Sequence, residues 1–505
     1  MQLYTSALTK KIDNLAVKEK NVTGYSLMQE AAEFSLNILM QEWEDADQVV
    51  TFCAKGKNSG DGFLLAKYAK ESGLDSAVVL STKQKELTGI AKKAYQEAKD
   101  SGVKFVSLIS SNKLKMTRKT VLVDALIGTG LKGAVRKHTK DAIDKINALG
   151  NKHPILSLDI PSGINADTGS VCGAAVVAHA TASFVTYKKG CFTSDGRTCS
   201  GEIFFSDLNI SKKIYTNNPS DCHVLEMERY LDKIVLRDMN SHKGDFGHVL
   251  IIGGNHGFGG ASILSSKAAA FSGAGLVGLA TRPEHVSASI SSCPEIMAVG
   301  IDSGQDLEQF LEKPDVIAIG PGLGQSAWSE QLLQRVYWEA EKRDVTVVMD
   351  ADALNLLSTL KLSAKRPKKL IITPHPGEAA RLLNKTIEEV EANRFKAASM
   401  LQKKYNAVVI LKGSGTLVCY ERNNKQYVGV CEAGNPGMAT GGMGDVLTGI
   451  VASFVSQGLK PYEAAEMAVD VHAKAADLAS LDVGEVGLLP SDVLEELRYL
   501  LQDSE

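Results

Sequence analysis

The stretch GNPGMATGGMGDVLTGIVAS, residues 434–453, joins a glycine-dense loop to an apolar segment of helical length. Five glycines precede Asp445, which falls in the first turn of the predicted helix. The N-terminus of a helix exposes peptide N–H groups and the positive end of the helix dipole, so residues 442–445 are expected to face an anion. Asp445 would then be close enough to accept a proton from a hydroxyl that attacks a phosphate. The alternative, in which Asp445 only caps the helix, leaves the five glycines unexplained.

Apolar runs that end in small or polar loops flank this stretch. The predicted strands are HVLIIGG at 248–254, DVIAIGPG at 315–322, VTVVMDAD at 345–352, KLIITPHPGE at 369–378 and AVVILKGSGT at 407–416. Such continuous apolar strands belong to parallel sheets that are covered on both faces and that bind ligands at the strands' carboxyl ends. The loop LKGSGT (411–416) suits nucleotide phosphates, since it offers Lys412 and a small-residue turn. His375, between two prolines, is a binding candidate, although a histidine in such a loop is more often structural.

The first half of the chain repeats the pattern with different loops. Predicted strands are QVVTF (48–52), SAVVL (76–80), TVLVD (120–124) and ILSLD (155–159), with predicted helices at 63–72 and 139–148. Three loops, GKNSGDG (56–62), DALIGTGLKGA (124–134) and DIPSGINADTG (159–169), would converge at one edge of the sheet. There Asn58, Asp124 and Ser162 would offer the oxygen ligands that a hard cation prefers. A tight turn or a solvated aspartate explains any one loop alone, whereas the three together favour a site.

Length and composition fit two α/β domains. A chain of 505 residues is too long for one ordinary core, and its 44% hydrophobic and 23% charged residues are typical of folded proteins. The pattern fades after IFFSDL (203–208) into the polar stretch SKKIYTNNPSD (211–221), so the predicted domains are residues 1–215 and 225–505. We expect a Rossmann-like doubly wound sheet in the first and a second α/β layer structure in the other.

Net charge, hydropathy and cysteine content indicate which classes of partner and which compartment to expect. The net charge of -3 gives no basic excess for nucleic acid or an anionic membrane. The most apolar run, residues 262–280, is interrupted by Lys267, so no membrane span is predicted. Eight cysteines without a metal-ligand spacing predict a cytoplasmic protein with free thiols.

Four motifs of the first half, GYSLMQEAA (24–32), GKNSGDG, DALIGTGLKG and LDIPSGINADTG, resemble the YjeF N-terminal domain, the epimerase of hydrated NADH and NADPH. The resemblance covers about residues 1–215 and implies potassium ligands at Asn58, Asp124 and Ser162. It implies dinucleotide contacts at Lys57, Asn58, Ser59, Gly60, Asp61, Gly128, Thr129, Gly130, Leu131, Lys132, Gly133, Ala134 and Asp159. The family loop carries two asparagines and two glycines before the aspartate, whereas this chain has Lys57, Asn58, Ser59 and Gly60.

The loops of the second half, in their order, resemble the NAD(P)HX dehydratase domain of the ribokinase-like superfamily over about residues 225–505. The resemblance implies substrate contacts at Ala261, Gly324, His375 and Asp445. It implies nucleotide contacts at Lys412, Gly413, Ser414, Gly415, Thr416 and Gly444. The succession of the two halves resembles the family of bifunctional NAD(P)H-hydrate repair enzymes of bacteria.

The resemblance implies an isomerase fused to a lyase. The second half would phosphorylate the hydroxyl of the S hydrate with ADP or ATP and Mg²⁺, with Asp445 as the base, and loss of phosphate would restore NADH or NADPH. The first half would interconvert the R and S hydrates, with Asp159 as the candidate acid–base residue beside K⁺. A homo-oligomer without nucleic-acid or membrane partners is expected.

Two other functions stay open at this point. The second half could be a kinase that stops after phosphorylating a vitamin or sugar hydroxyl. The first half could be a non-catalytic binding module, because Lys57 and Ser59 depart from the family loop.

Overall fold

The computed structural model describes residues 1–19, 23–234, 237–360 and 366–502. The chain forms two compact units, one of Gln2–Cys222 and one of His223–Glu505 together with Met1. They are called the N-terminal and the C-terminal unit below, and each is described by itself.

The strands within the described residues are β1 (Gln2–Tyr4), β2 (Gln48–Cys53), β3 (Asp75–Leu80), β4 (Lys104–Ser107), β5 (Thr120–Ala125), β6 (Ile155–Leu158), β7 (Ala180–Phe184), β8 (Tyr187–Lys188), β9 (Glu202–Ser206), β10 (Cys222–Val224), β11 (His248–Ile252), β12 (Leu276–Thr281), β13 (Met297–Gly300), β14 (Val316–Ile319), β15 (Thr346–Met349), β16 (Lys369–Ile372), β17 (Val408–Leu411), β18 (Leu417–Arg422) and β19 (Lys425–Val430).

The α-helices are α1 (Ser6–Glu19), α2 (Gly24–Glu42), α3 (Lys57–Glu71), α4 (Gly89–Asp100), α5 (Lys137–Gly150), α6 (Ser194–Ser200), α7 (Lys212–Thr216), α8 (Glu228–Leu231), α9 (Gly259–Phe271), α10 (Pro283–Ser292), α11 (Gly304–Leu311), α12 (Ala327–Lys342), α13 (Ala351–Thr359), α14 (Pro376–Leu383), α15 (Ile387–Glu391), α16 (Arg394–Tyr405), α17 (Met443–Ser456), α18 (Pro461–Val483) and α19 (Pro490–Leu500). Short 3₁₀ turns lie at Gln84–Glu86, Ser111–Lys113, Lys189–Phe192, Lys243–Phe246 and Pro436–Met438.

The N-terminal unit is built on a parallel sheet of seven strands in the order β4-β3-β2-β5-β6-β7-β9. The chain starts in the middle at β2, runs outward through β3 and β4, and returns to continue on the other side with β5. The switch of direction therefore falls between β2 and β5, where Phe52 lies opposite Asp124. In doubly wound sheets, ligands bind at the carboxyl ends of the strands at this switch point.

The C-terminal unit has the same winding. Its parallel strands follow the order β13-β12-β11-β14-β15-β16-β17, and the antiparallel pair β18 and β19 continues the sheet beyond β17. The switch point falls between β11 and β14. The predicted doubly wound α/β architecture is confirmed for both halves.

The glycine-rich stretch at 434–453 leads into the central helix of the C-terminal unit. Most of α17 is buried, and it packs closely against α9. A Cβ on Gly449 would lie 2.1 Å from the carbonyl oxygen of Ser265, so the two backbones meet at a distance that only glycine permits. This contact fixes the position of the loop that precedes the helix.

One expectation for local structure was wrong. The loop GKNSGDG is largely helical, because α3 begins at Lys57 directly after Gly56 rather than at residue 63. The apolar run at 262–280 is divided between α9 and β12, and within the described residues no helix is long and apolar enough to cross a membrane. The polar boundary stretch at 211–221 contains the short helix α7.

Candidate active sites

An ion pair between Lys412 and Asp350 lies at the carboxyl ends of β17 and β15. Lys412 Nζ is 2.7 Å from Asp350 Oδ1, and Thr448 Oγ1 donates to Asp350 Oδ2 at 2.8 Å. Asp350 is 1% exposed, so its charge is balanced within the protein by the lysine and the hydroxyl. Burial lowers the pKa of Lys412, but Asp350 and Glu378 raise it by more, and the lysine keeps its charge.

The N-terminus of α17 lies against this pair. Gly442, at φ +99°, precedes the helix, and a Cβ on Gly444 would lie 3.2 Å from Lys412 Nζ. The peptide N–H groups of Gly444 and Asp445 belong to the first turn, which has no acceptors inside the helix. The helix N-terminus and the Lys412 ammonium thus present positive charge to the same space, which is suited to a phosphate.

Two carboxyl groups of this site have unusual proton affinity. The pKa of Asp445 is raised to about 7, first by burial and then by the Asp350 carboxylate, while Lys412 opposes the rise. The pKa of Glu378 is also raised to about 7, again chiefly by burial and against the effect of Lys412. A carboxyl group with a pKa near 7 exchanges protons readily at neutral pH, as a general base must.

The loop LKGSGT is held by a buried arginine. Arg394 is fully buried, and its guanidinium donates to the carbonyl oxygens of Leu411 (3.1 Å), Lys412 (3.0 Å), Gly415 (3.2 Å) and Ser414. The N–H of a trans peptide points opposite to its carbonyl, so the N–H groups of Gly413 and Thr416 point away from Arg394. The Lys412 N–H instead donates to the Pro374 carbonyl at 2.9 Å. Gly413 has φ +136°, and a Cβ there would lie 2.8 Å from Arg394 Nη2. Arg394 therefore gives the loop one face of carbonyls and an opposite face of donors.

His375 has a structural task at the start of α14. Its Nδ1 accepts from the N–H of Gly377 at 3.0 Å, and its own N–H donates to Glu378 Oε2 at 2.8 Å. Burial lowers the pKa of His375, and Lys412 and Arg381 lower it further. His375 is a neutral helix cap at the edge of the site, with its ring about half exposed.

The loops after β11 and β14 meet at the switch point. Gly324, at φ +68°, donates its N–H to Asp352 Oδ2 at 2.9 Å, and a Cβ on it would lie 2.9 Å from Asn255 Nδ2. A Cβ on the neighbouring Gly322 would lie 3.2 Å from the Cβ of Ala261. The structure thus brings the regions of Ala261 and Gly324 together.

In the N-terminal unit, Asp124 at the end of β5 is completely buried. It accepts hydrogen bonds from Ser162 Oγ at 2.6 Å, from the Ser162 N–H at 2.8 Å and from Ser157 Oγ at 3.0 Å. Burial raises the pKa of Asp124, and the Ser162 hydrogen bonds oppose the rise. Two of the three predicted cation ligands are therefore in direct contact.

Asn58, in the first turn of α3, is the third predicted ligand. It is 7% exposed, and within the described parts of the chain neither its Oδ1 nor its Nδ2 has a hydrogen-bond partner. A buried amide without partners costs free energy, so a ligand that satisfies it is expected. A Cβ on Gly128 would lie 3.5 Å from the Asn58 Cβ, which places Asn58 beside the loop at 128–134.

The neighbours of Asn58 differ in their surroundings. Ser59 is buried, and its hydroxyl accepts from the Ala54 N–H and donates to the Ala125 carbonyl, each at 2.8 Å. A Cβ on Gly60 would lie 2.4 Å from Met28 Cε, so this glycine is needed for packing. Lys57 is exposed, and its Nζ lies 3.4 Å from Oδ2 of Asp13 in α1. Burial, together with the Asp159 carboxylate, raises the pKa of Asp61 well above its ordinary value.

Asp159 follows β6 directly and has φ +68°, a left-handed conformation that non-glycine residues rarely adopt. Its Oδ1 pairs with Nζ of Lys188, a lysine whose side chain is wholly buried. Its Oδ2 faces Gly128, since a Cβ there would lie 3.0 Å from it. The predicted loop at 128–134 is mostly exposed and open to a ligand.

Sequence interpretation did not single out Asp350, Arg394 and Lys188. Asp350 carried the same signal as Asp124, an acidic residue at the end of an apolar strand. Arg394 and Lys188 carried no signal in the sequence, because Arg394 binds carbonyls 17 to 21 residues away and the Asp159 partner of Lys188 belongs to a distant strand end.

The folds define an α/β protein with two doubly wound sheets, one of which places a helix N-terminus and Lys412 beside the buried Asp350. Residues 249–498 match the family described as NAD(P)H-hydrate dehydratase, and residues 24–190 match the family described as YjeF-related protein N-terminus. A ribokinase-like superfamily protein of Enterococcus faecalis V583 has a TM-score of 0.51 at 32% identity, covering 56% of this chain and 96% of that one.

Relatives that match nearly the whole chain are named bifunctional NAD(P)H-hydrate repair enzymes. The chain is 40% identical to the bifunctional NAD(P)H-hydrate repair enzyme Nnr of Coxiella burnetii, over 99% of each chain. It is 36% identical to that of Escherichia coli K12, over 95% of this chain and 90% of that one. The chain belongs to the family of bifunctional NAD(P)H-hydrate repair enzymes.

Proposed function

We propose that the chain repairs hydrated NADH and NADPH in two steps. The N-terminal unit interconverts the R and S hydrates, and the C-terminal unit dehydrates the S hydrate with ADP or ATP. The observation that carries the second assignment is Asp445, whose carboxyl has a pKa near 7 beside Lys412 and the N-terminus of α17.

In the dehydratase step, the oxygen of the substrate hydroxyl attacks the terminal phosphoryl group of the nucleotide, and Asp445 accepts the proton of that hydroxyl. AMP leaves from ADP, or ADP from ATP, and the N–H groups at Gly444 and Asp445 stabilise the transferred charge. Addition of water to the enamine of a reduced nicotinamide places the new hydroxyl next to the ring nitrogen. That nitrogen can therefore expel the phosphate with the C–O electron pair, and loss of a proton from the adjacent carbon restores the double bond.

The assignments of individual residues follow from this geometry. Nucleotide phosphates lie against Lys412, Gly413, Ser414, Gly415, Thr416 and Gly444, on the donor face that Arg394 creates. The hydrate lies against Ala261, Gly324, His375 and Asp445. Asp445 and Glu378 carry carboxylate oxygens of the kind that Mg²⁺ prefers and would hold a Mg²⁺ bound with the nucleotide, which would neutralise phosphate charge.

In the epimerase unit, we assign K⁺ to Asn58, Asp124 and Ser162. The unpartnered buried amide of Asn58 fits this ion, because an amide oxygen is a hard neutral ligand and the set carries one formal negative charge. The ion would hold the ends of β2, β5 and β6 together. The dinucleotide lies along residues 57–61 and 128–134, and Asp159 exchanges protons with the hydrate.

Epimerisation itself is a balanced exchange of water. The hydroxyl takes a proton and leaves as water with its C–O electron pair, while the ring nitrogen forms a C=N⁺ bond. Water then adds to the opposite face, the π pair returns to nitrogen, and the extra proton passes to a carboxylate. No oxidant or second substrate is needed, so acid–base groups suffice.

Pure R and pure S hydrates, each with Mg²⁺, K⁺ and ADP or ATP, test both assignments. Recovery of the reduced-nicotinamide absorbance from the S hydrate reports the dehydratase. Recovery from the R hydrate that is faster than with a chain whose epimerase is inactive reports the epimerase. A stable phosphorylated product without recovered absorbance would instead identify a kinase. No acceleration of R conversion would leave the N-terminal unit as a binding module.

A cytoplasmic location and a homo-oligomeric assembly complete the proposal. No disulfide joins the eight cysteines in the part of the chain that the structure describes, which supports a reducing compartment. Fractionation and light scattering, respectively, test the two statements.

A further inference from the structure

Lys188, the last residue of β8, is a completely buried lysine in the N-terminal unit. Its Nζ pairs with Asp159 Oδ1 and donates to the Phe184 carbonyl at 2.7 Å and to Ser183 Oγ at 3.1 Å. An ammonium has three N–H donors, and three acceptors surround it. A buried charge is tolerated only when it is paired and hydrogen-bonded in this way, so the position of Nζ is closely defined.

The backbone of Asp159 turns the carboxylate toward both Lys188 and the open loop. Its left-handed conformation ends β6, and its N–H donates to the Ala182 carbonyl at 2.7 Å. One carboxylate oxygen is held by Lys188, and the other faces Gly128 at the start of the loop at 128–134. Backbone strain of this kind persists where the surrounding contacts determine the conformation, and here Lys188 supplies such a contact.

We propose that Lys188 is a positioning residue of the epimerase site, which holds Asp159 as a carboxylate with Oδ2 directed at the hydrated ring. The inference rests on the proposed epimerase function. Lys188 does not touch the substrate in this arrangement, because its three donors are already engaged. It acts through Asp159, which receives the proton of the water that adds to the C=N⁺ bond.

Asp61 completes the acid–base set. Burial and then the Asp159 carboxylate raise the pKa of Asp61 well above its ordinary value, which favours Asp61 as the group that gives a proton to the leaving hydroxyl. Asp159, paired with the Lys188 ammonium, is the carboxylate that receives a proton. Exchange with solvent then returns both groups to their starting states.

A purely structural lysine would also bind Asp159, so the test must separate the two roles. If Lys188 acts only through Asp159, its replacement has no further effect once the Asp159 carboxylate is gone. We therefore compare Lys188→Met, Lys188→Arg, Asp159→Asn and the double variant Lys188→Met with Asp159→Asn in the full-length protein. The matched control is Lys145→Met, whose Nζ donates to Ser111 Oγ at 2.6 Å in the same unit but away from the site.

The assay measures kcat and KM for conversion of the R hydrate to the S hydrate without nucleotide, by chromatographic separation of the two epimers, so that the dehydratase does not act. Lys188→Met is expected to lower kcat about 100-fold with little change in KM, the size of a general acid–base contribution. Lys188→Arg retains the charge and should recover part of the loss. The Lys145→Met control should match the parent. Turnover of the S hydrate by each variant reports that the C-terminal unit is intact.

The double variant decides the mechanism. It leaves no unpaired charge and is expected to fold and to have the same residual kcat as Asp159→Asn. Additive losses, or a folded Lys188→Met enzyme within threefold of the parent, would overturn the proposal. If Lys188→Met alone does not fold, the residual kcat of the double variant, compared with that of Asp159→Asn, still shows whether Lys188 acts through Asp159. A parent enzyme that fails to accelerate conversion of R would instead refute the epimerase function itself.

Discussion

Replacement of Asp445 by Asn is expected to stabilise the C-terminal unit while it removes dehydration. The carboxyl has an ordinary pKa of 3.8 and a pKa of about 7 in the folded protein, because it is buried beside the Asp350 carboxylate. The folded state therefore binds this proton more tightly than the unfolded chain. Ionised Asp445 destabilises the fold, and Asn removes that destabilisation.

The sign and size follow from proton linkage. Below pH 4, Asp445 is protonated in both states and contributes no difference. As the pH rises from about 4 to about 7, only the unfolded state loses the proton, and the full cost of about 4 kcal/mol is present above pH 7. The Asn amide is itself buried without a defined partner, so a net gain of about 1–3 kcal/mol at pH 8 is expected. The gain should vanish as the pH falls toward 4.

The measurement is thermal and urea unfolding of the full chain at pH 8 and pH 5, followed by calorimetry and by tryptophan fluorescence. A gain of this size should raise the Tm by several degrees at pH 8. The control is Asp344→Asn, because the pKa of exposed Asp344 is lowered by its bond to Lys369 and its replacement should bring no gain at pH 8.

The dehydratase activity of Asp445→Asn should fall although its stability rises. Dehydration by Asp445→Asn should fall by about two to four orders of magnitude, with R to S conversion unaffected. In the parent, kcat/KM for the S hydrate should fall below about pH 7 as Asp445 takes up a proton. Equal stability of the variant and parent at pH 8, or an equal gain at pH 5 and pH 8, would refute the reasoning, as would near-normal dehydration.

Three further perturbations follow from the same contacts. Arg394→Met should raise the KM for ATP at least tenfold, with little change in the KM for the S hydrate, because the loop loses the guanidinium that orients its donors; equal effects on both would contradict this. Gly413→Val should weaken ADP and ATP binding in calorimetric titration, since its Cβ meets Arg394, and unchanged affinity would mean that the loop is only a turn. Asp124→Ala should abolish the response of epimerase activity to potassium while S turnover continues, and a structure in potassium buffer with no ion near Asn58, Asp124 and Ser162 would exclude the site.

The fold was largely predictable because its signal is periodic and local. Apolar runs of strand length alternate with amphipathic segments, and each of the nine strands predicted in the two halves corresponds to an observed strand within a few residues. The end of β6 is instructive. The prediction carried the strand through Asp159, whereas the strand ends at Leu158 and Asp159 adopts φ +68°. A left-handed residue outside glycine is imposed by tertiary contacts, which a pattern of residue types does not contain.

The start of α3 was missed for a related reason. GKNSGDG was predicted as one of three loops that converge on a ligand site. In the structure, Gly60 and Gly62 instead allow the first turn of α3 to pack on Met28 and Ala125, where a Cβ would lie 2.4 Å away. Glycine signals a close approach in either case, and only the fold tells whether the neighbour is a ligand or the protein's own side chain.

The sites were predictable as places more than as mechanisms. Motifs at strand ends located Asp445 and Asp159, because parallel sheets gather such loops at one edge. The charges that tune them come from distant segments: Lys412 lies 62 residues from Asp350, and Lys188 lies 29 residues from Asp159 (188 minus 159). No spacing rule connects these pairs, so they emerge only when the sheet is assembled.

Both units contain a lysine paired with the aspartate that ends a parallel strand, and the two pairs differ in which partner remains available. Both carboxylate oxygens of Asp350 are engaged, one by Lys412 and one by Thr448, so Asp350 fixes the position of the lysine. The Lys412 ammonium lies beside Gly444, where it can face an anion. Lys188 has all three donors engaged, so it holds the aspartate, and Asp159 Oδ2 remains directed at Gly128. In the proposed function, the first arrangement presents a positive charge to a phosphate and the second presents a base to a hydrated ring. A buried lysine–aspartate pair of one kind can therefore support either proposed reaction, according to which partner the surrounding hydrogen bonds leave open.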